Sequence, residues 1–144
     1  MSSRAERLQP VVDLAVKREK EAAVHMADLR AQLTAAEQQL ADLRTYREDY
    51  GVIPSGSNVA GLINRQQFLQ RIDTAIVQQM SEVVRRQHAL VVAQGKWMEV
   101  RGRAKALDSV TSRYREDERK AEDRRDQAQA DERSQYRRVN RPAS

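Results

Sequence analysis

The chain contains no cysteine, so neither a disulfide nor a thiolate metal site can form, and a reducing compartment is permitted. Aromatic residues are nearly as scarce: one Phe, one Trp and four Tyr among 144 residues. Too few large apolar side chains are present to fill a thick globular core. Five glycines and three prolines leave few obligatory breaks. No apolar run approaches the roughly 20 residues needed to span a bilayer. The start, "MSSRAERLQP", lacks the apolar segment of a secretory signal. The expectation is a cytoplasmic protein.

Charge and helix-forming residues are abundant. Charged residues make up 33% of the chain, with a net charge of +5. Residues 1–50 carry 8 basic and 9 acidic groups, residues 51–112 carry 8 and 4, and residues 113–144 carry 10 and 8. The basic excess is therefore dilute and mixed with carboxylates, as on a solvated helix laced with ion pairs. Ala, Glu, Arg, Gln, Asp and Leu dominate, a balance that fits long helices or coiled coil.

Periodicity supports that class. One seam repeats through Leu8, Ala15, Ala22, Leu29, Ala36, Leu43 and Tyr50, interleaved with Val12, Glu19, Met26, Leu33, Leu40 and Arg47. This unbroken four–three alternation marks a helix with a partner along a 3.5-residue seam. A second register runs through Leu62, Leu69, Ile76, Val83, Leu90, Trp97, Ala104 and Thr111. It interleaves with Arg65, Ile72, Gln79, Arg86, Ala93, Val100, Leu107 and Tyr114. Gln79 and Arg86 weaken its middle. Gly95 and Gly102 fall on outer positions, each costing about 1 kcal/mol of helix propensity relative to Ala.

Between the registers lies "YGVIPSGSN". Gly51 is suited to end the first helix, Pro54 to prevent its continuation, and Ser57 or Asn58 to cap the second. The expected fold is all-α: an antiparallel two-helix coiled-coil hairpin with a longer, charged second helix. We expect one coiled-coil domain over 1–144, with helices over about 4–50 and 59–138 and a loop over about 51–58. Folding the chain about residue 55 sets Tyr50 near Leu62, Leu33 near Gln79, and Leu8 near Ala104 or Leu107. A parallel homodimer of one kinked helix is the competing arrangement. From about residue 113 the second helix outruns the first. Residues 113–141 hold 18 charged residues in 29, as expected of an overhang supported by its own ion pairs.

Beside the loop each helix adds a third apolar row. Gln39, Leu43, Tyr46 and Tyr50 are spaced four, three, four, and Phe68, Ile72, Ala75 and Gln79 repeat that spacing. Two readings stand: a core widened to compensate for Arg47 and Arg65, or a patch for another protein.

"LADLRTYREDYG", a short loop, and "LINRQQFLQRIDTAIVQQ" together resemble the flagellar export protein FliJ family. Overall length and the charged C-terminal extension fit as well. The resemblance implies a hairpin similar to the gamma-subunit stalk of rotary ATPases. Such proteins are cytoplasmic components of the flagellar type III export apparatus, peripheral to the inner membrane through the export gate. It implies that the end bearing both termini lies at the pore of the hexameric export ATPase, FliI. It also implies that the patch near the loop contacts the export gate protein FlhA. Carried over, that patch is Gln39, Leu43, Tyr46, Tyr50, Phe68, Ile72, Ala75 and Gln79; Gln79 stands where some members carry His. Members are also described as escorting export chaperones.

No catalytic chemistry is legible. "SGSNVAG" lacks the Lys–Ser/Thr of a phosphate-binding loop, so no ATP hydrolysis is expected. His25 and His88 are isolated and lack metal-ligand spacing. Carboxylates such as Glu37 and Asp42 are not gathered in a cleft. We expect no enzyme, cofactor or metal. The alternatives are a parallel-dimer scaffold and a nucleic-acid-associated basic coiled coil using Arg85, Arg86, Lys96, Arg101, Arg103 and Lys105. Against the latter, the aromatics do not interleave with basic residues as a stacking platform requires, so no nucleic-acid partner is expected.

Overall fold

Two hydrogen bonds start the first helix. The Ser3 hydroxyl oxygen accepts from the Glu6 amide at 3.1 Å, and the Glu6 carboxylate accepts from the Ser3 amide at 3.3 Å. This is the reciprocal cap that Ser–x–x–Glu spells. In the computed structural model, which describes residues 3–51 and 58–140, helix α1 spans Arg4–Gly51 and α2 spans Val59–Val139. Pro10 lies inside α1, where its missing N–H leaves the Glu6 carbonyl without its helical donor. Asn58 caps α2, its Oδ1 accepting from the Gly61 amide at 2.7 Å. Gly51 is the last residue of α1. The expected roles of Pro54 and Ser57 lie outside the described residues. The fold is all-α, and the helices pair antiparallel within one chain rather than across a parallel dimer.

The packing forms two units: Lys20–Glu99, and Met1–Glu19 with Val100–Ser144. In the first, Ala36, Leu40 and Val83 form a buried cluster, with Leu33 and Ile76 packed against it. The polar residues that interrupt the seam cross it. Gln79 Nε2 donates to the Ala36 carbonyl at 3.0 Å. Arg86 donates to Glu82 at 2.7 Å and also to Gln32. Arg47 pairs with Asp73 at 2.8 Å. Each uses its alkyl stem as seam surface and keeps a partner for its polar end.

These contacts correct the expected register. Gln79 reaches Ala36, nearly a turn beyond Leu33, and Tyr50 is met by Arg65 rather than Leu62. Val59, Leu62 and Ile63 are all exposed, so α1 leaves the apolar side chains of the first residues of α2 uncovered and meets α2 at Arg65.

The second unit has a seam of small side chains. Ala5, Val12, Ala15, Val100 and Ala104 are buried, and so is Thr111. Thr111 satisfies its hydroxyl on the Leu107 carbonyl at 2.8 Å, the local bond that lets a threonine occupy an apolar helix position. Here Gln9 meets Arg115, so the expected pairing of Leu8 with Ala104 or Leu107 is also displaced. The Ala5 amide donates to Glu118 at 3.3 Å, an anion at a helix N-terminus. Arg4 stacks over the Tyr114 ring at 5.7 Å. Beyond Glu118 every described residue of α2 is exposed. Arg119 holds Glu116 at 2.6 Å.

Candidate functional site

Four positions of the aromatic rows come from the last turns of α1 and four from the early turns of α2. Tyr46 and Tyr50 are one helical turn apart, so their rings stack along the surface of α1. Phe68 reaches them from α2. Ring centroids lie 5.0 Å apart for Tyr46–Tyr50, 6.0 Å for Tyr46–Phe68 and 4.6 Å for Tyr50–Phe68. All three pairs are tilted or edge-on, the geometry that ring quadrupoles favour.

The hairpin covers the cluster only in part. Tyr46 retains 47% and Tyr50 43% of its accessible surface, while Phe68 is half-buried between α2 and the tyrosines. Two helices cannot enclose three rings, so a face of aromatic carbon stays in water. The Tyr46 hydroxyl titrates above its ordinary value: a hydrogen bond with Tyr50 is the main cause, followed by charge repulsion from Tyr50 and partial desolvation.

The other predicted positions divide by burial. Gln39 is exposed on the Tyr46 row, and Leu43 and Ala75 are half-buried. Ile72 is only 6% exposed and belongs to the seam. Gln79 is half-buried, and its side-chain amide is engaged by the Ala36 carbonyl. Tyr46, Tyr50 and Phe68 thus carry the accessible face, with Gln39 at its edge and Ile72 and Gln79 beneath or beyond it.

Reading the rows alone omitted Arg65. Its guanidinium donates to the Tyr50 carbonyl. The last turn of α1 contains no basic residue, so α2 supplies the cation that the helix C-terminus favours. Arg65 Nη1 is buried and makes no hydrogen bond among the described residues. The available signal was Arg65 itself: an arginine on a seam row beside a helix end needs a carbonyl or carboxylate. Arg47 with Asp73 ties the same end of the hairpin one turn from Tyr50.

Other chemistry is sparse. Among the described residues no group of three or more His, Asp or Glu is arranged to hold a metal. Among the described residues no helix is long and apolar enough to cross a membrane. Of the six basic residues considered for nucleic acid, Arg85 and Arg86 both pair with Glu82.

Comparison with known proteins identifies the family. Residues 3–143 match the family described as "FliJ: Flagellar FliJ protein". The flagellar FliJ protein of Escherichia coli (strain K12) is 29% identical over 140 residues, covering 94% of this chain and 95% of that protein. The flagellar FliJ protein of Salmonella typhi shows the same identity and coverage. The match runs through both helices and the aromatic rows, and the chain belongs to the flagellar FliJ family, components of the flagellar export apparatus.

Proposed function

We propose that this protein is a stalk and chaperone-like component that links the export ATPase hexamer, FliI, to the export gate protein, FlhA. In this reading the Tyr46–Tyr50–Phe68 face docks on the gate, which holds the protein peripherally at the inner membrane. The unit containing both termini engages the ATPase. The observation that carries the reading is the three-ring cluster, drawn from both helices and left more than 40% exposed at both tyrosines. Rigid aromatic groups on a preformed surface bind with little loss of side-chain freedom and are enriched at interface centres. The clamp of Arg65 on the Tyr50 carbonyl holds Tyr50 in place before any partner arrives.

The test is a double variant, Tyr46→Ala with Phe68→Ala, assayed against the gate's cytoplasmic domain and against the ATPase. Losing a buried interface aromatic costs about 2 kcal/mol or more, so gate affinity should fall roughly thirty-fold. Helicity and ATPase binding should persist. Full gate affinity in a folded variant would overturn the assignment. Loss of helicity would return these rings to a purely structural role.

A further inference from the structure

The flank of α2 opposite Phe68 is nearly devoid of charge. Val77, Val84, Val91 and Met98 recur every seven residues, and Met80 lies on the neighbouring row. The remaining positions of this face from Thr74 to Met98 are Gln, Thr, Ser, His and Gly. In a chain with 33% charged residues, seven helical turns without Asp, Glu, Lys or Arg on one face are a departure. The hairpin does not use this face: Val77 is 66% exposed, Val84 and Val91 are each 62% exposed, and Met98 is 65% exposed. A Cβ built at Gly95 would meet nothing within 4 Å. Its cost of about 1 kcal/mol to the helix therefore has no return inside the chain, whereas a bare backbone there admits a close neighbour.

The period also specifies the neighbour. A seven-residue repeat along one helix matches the repeat of another helix laid beside it. By helical phase the valine row shares its flank of the seam with Ala27, Thr34 and Ala41 of α1, all exposed and all small. Arg30 and Arg44 stand on that edge two heptads apart, with Glu37 between them. The result is a trough with one uncharged apolar wall and one small-residue wall bearing two cations.

We propose that this trough takes up an amphipathic helix from another protein. Its apolar seam lies on Val77, Val84, Val91 and Met98, and two of its carboxylates, two heptads apart, meet Arg30 and Arg44. A second copy of this chain fits less well. Its matching face is the same uncharged wall with the same two arginines and a single carboxylate, Glu37, so each copy would bury one cation without a partner. A membrane surface is disfavoured because, from Thr74 to Met98, the rows on either side of the valines carry no basic residue to meet lipid headgroups; Arg101 and Lys105 come only beyond the row's end.

The probe is a labelled 24-residue peptide with leucine at both seam rows and glutamate at the flanking positions. Its lysine-flanked counterpart serves as the control. Both are titrated into the full chain by fluorescence anisotropy, with sedimentation equilibrium of the chain alone. The glutamate peptide should bind at least about tenfold tighter than the lysine peptide, as complementary interfacial charge requires. Arg30→Glu with Arg44→Glu should reverse that order. Val84→Asp with Val91→Asp should abolish binding while leaving gate affinity intact, since it lies on the flank away from Phe68. If that apolar variant loses helicity, the charge-reversal pair, which leaves the valines untouched, decides. Equal affinity for both peptides, binding of neither, or a chain dimer abolished by the valine substitutions would each overturn the proposal.

Discussion

The unit containing the ends of both helices and the unit running toward the loop are made from the same repeat but solve the seam differently. Where the termini pair, the buried seam is Ala5, Val12, Ala15, Val100, Ala104 and Thr111, with nothing larger than valine, side chains that give little apolar area but let backbones approach. Toward the loop Ala36 and Ala93 share the buried seam with the larger Leu40, Ile72, Val83 and Leu90, and it is crossed by polar contacts and flanked by three rings. Small residues make a thin seam whose tolerance is steric. Larger ones make a thicker seam with side chains left over to face outward. The heptad dictates pairing in both, but the residue sizes placed on it decide which unit can present a surface.

Substitutions that exchange the two solutions should break this contrast. Leu40→Ala, in the larger seam, should cost about 2–5 kcal/mol, read as a lowered thermal midpoint by circular dichroism. Ala104→Leu, in the small seam, should cost about 1–3 kcal/mol by overpacking. Hydrogen exchange should localise its effect to Met1–Glu19 and Val100–Glu118. If Ala104→Leu stabilised the protein, the small seam would be loose rather than close. Gln79→Leu should cost about 0.5–1.5 kcal/mol for the lost bond to the Ala36 carbonyl, measured by urea unfolding.

The smallest effects come from charge, and they run in opposite directions in the two units. Tyr46 titrates high because of Tyr50. Its contribution is complete below the ordinary tyrosine value and is lost as pH rises through its raised value. Tyr50→Phe should lower the Tyr46 midpoint in an absorbance titration. Glu116 titrates low, first because Arg119 hydrogen-bonds to it and then because of that cation's charge. Its contribution is present above the ordinary carboxylate value and fades as pH falls through the lowered one. Arg119→Gln should bring the Glu116 carboxyl back up in an NMR titration. Truncation after Lys120 should leave the melting curve unchanged, because every described residue removed is exposed.

Much of this was legible because a heptad is a local code. Apart from Tyr50 and Leu62, every described position assigned to the two seams is at least partly buried. The axial match between the helices was not legible. A repeat of seven looks the same after every shift of seven, so the rows say which faces meet and not which residues. The choice is made by non-repeating contacts such as Gln79 with Ala36 and Arg47 with Asp73, which depend on side-chain reach across the seam. In the aromatic face, spacing identified Tyr46, Tyr50 and Phe68. It gave Ile72 and Gln79 equal standing with them because adjacent rows have the same period whether they face the partner helix or water. Arg65 escaped for the opposite reason: its role depends on where α1 ends, a property of no repeat.

The crossing polar contacts have a mechanical consequence. A purely apolar heptad seam resists shear poorly, since sliding one helix by a repeat trades one set of methyl contacts for another. Gln79, Arg86 and Arg47 act as detents on that slide. They engage Ala36, Gln32 and Asp73 at three places along the Lys20–Glu99 unit, so lengthwise displacement must release them together before any can re-engage. Under axial load this part of the hairpin should therefore hold its phase until it yields abruptly, transmitting displacement from one end to the other instead of absorbing it as slip.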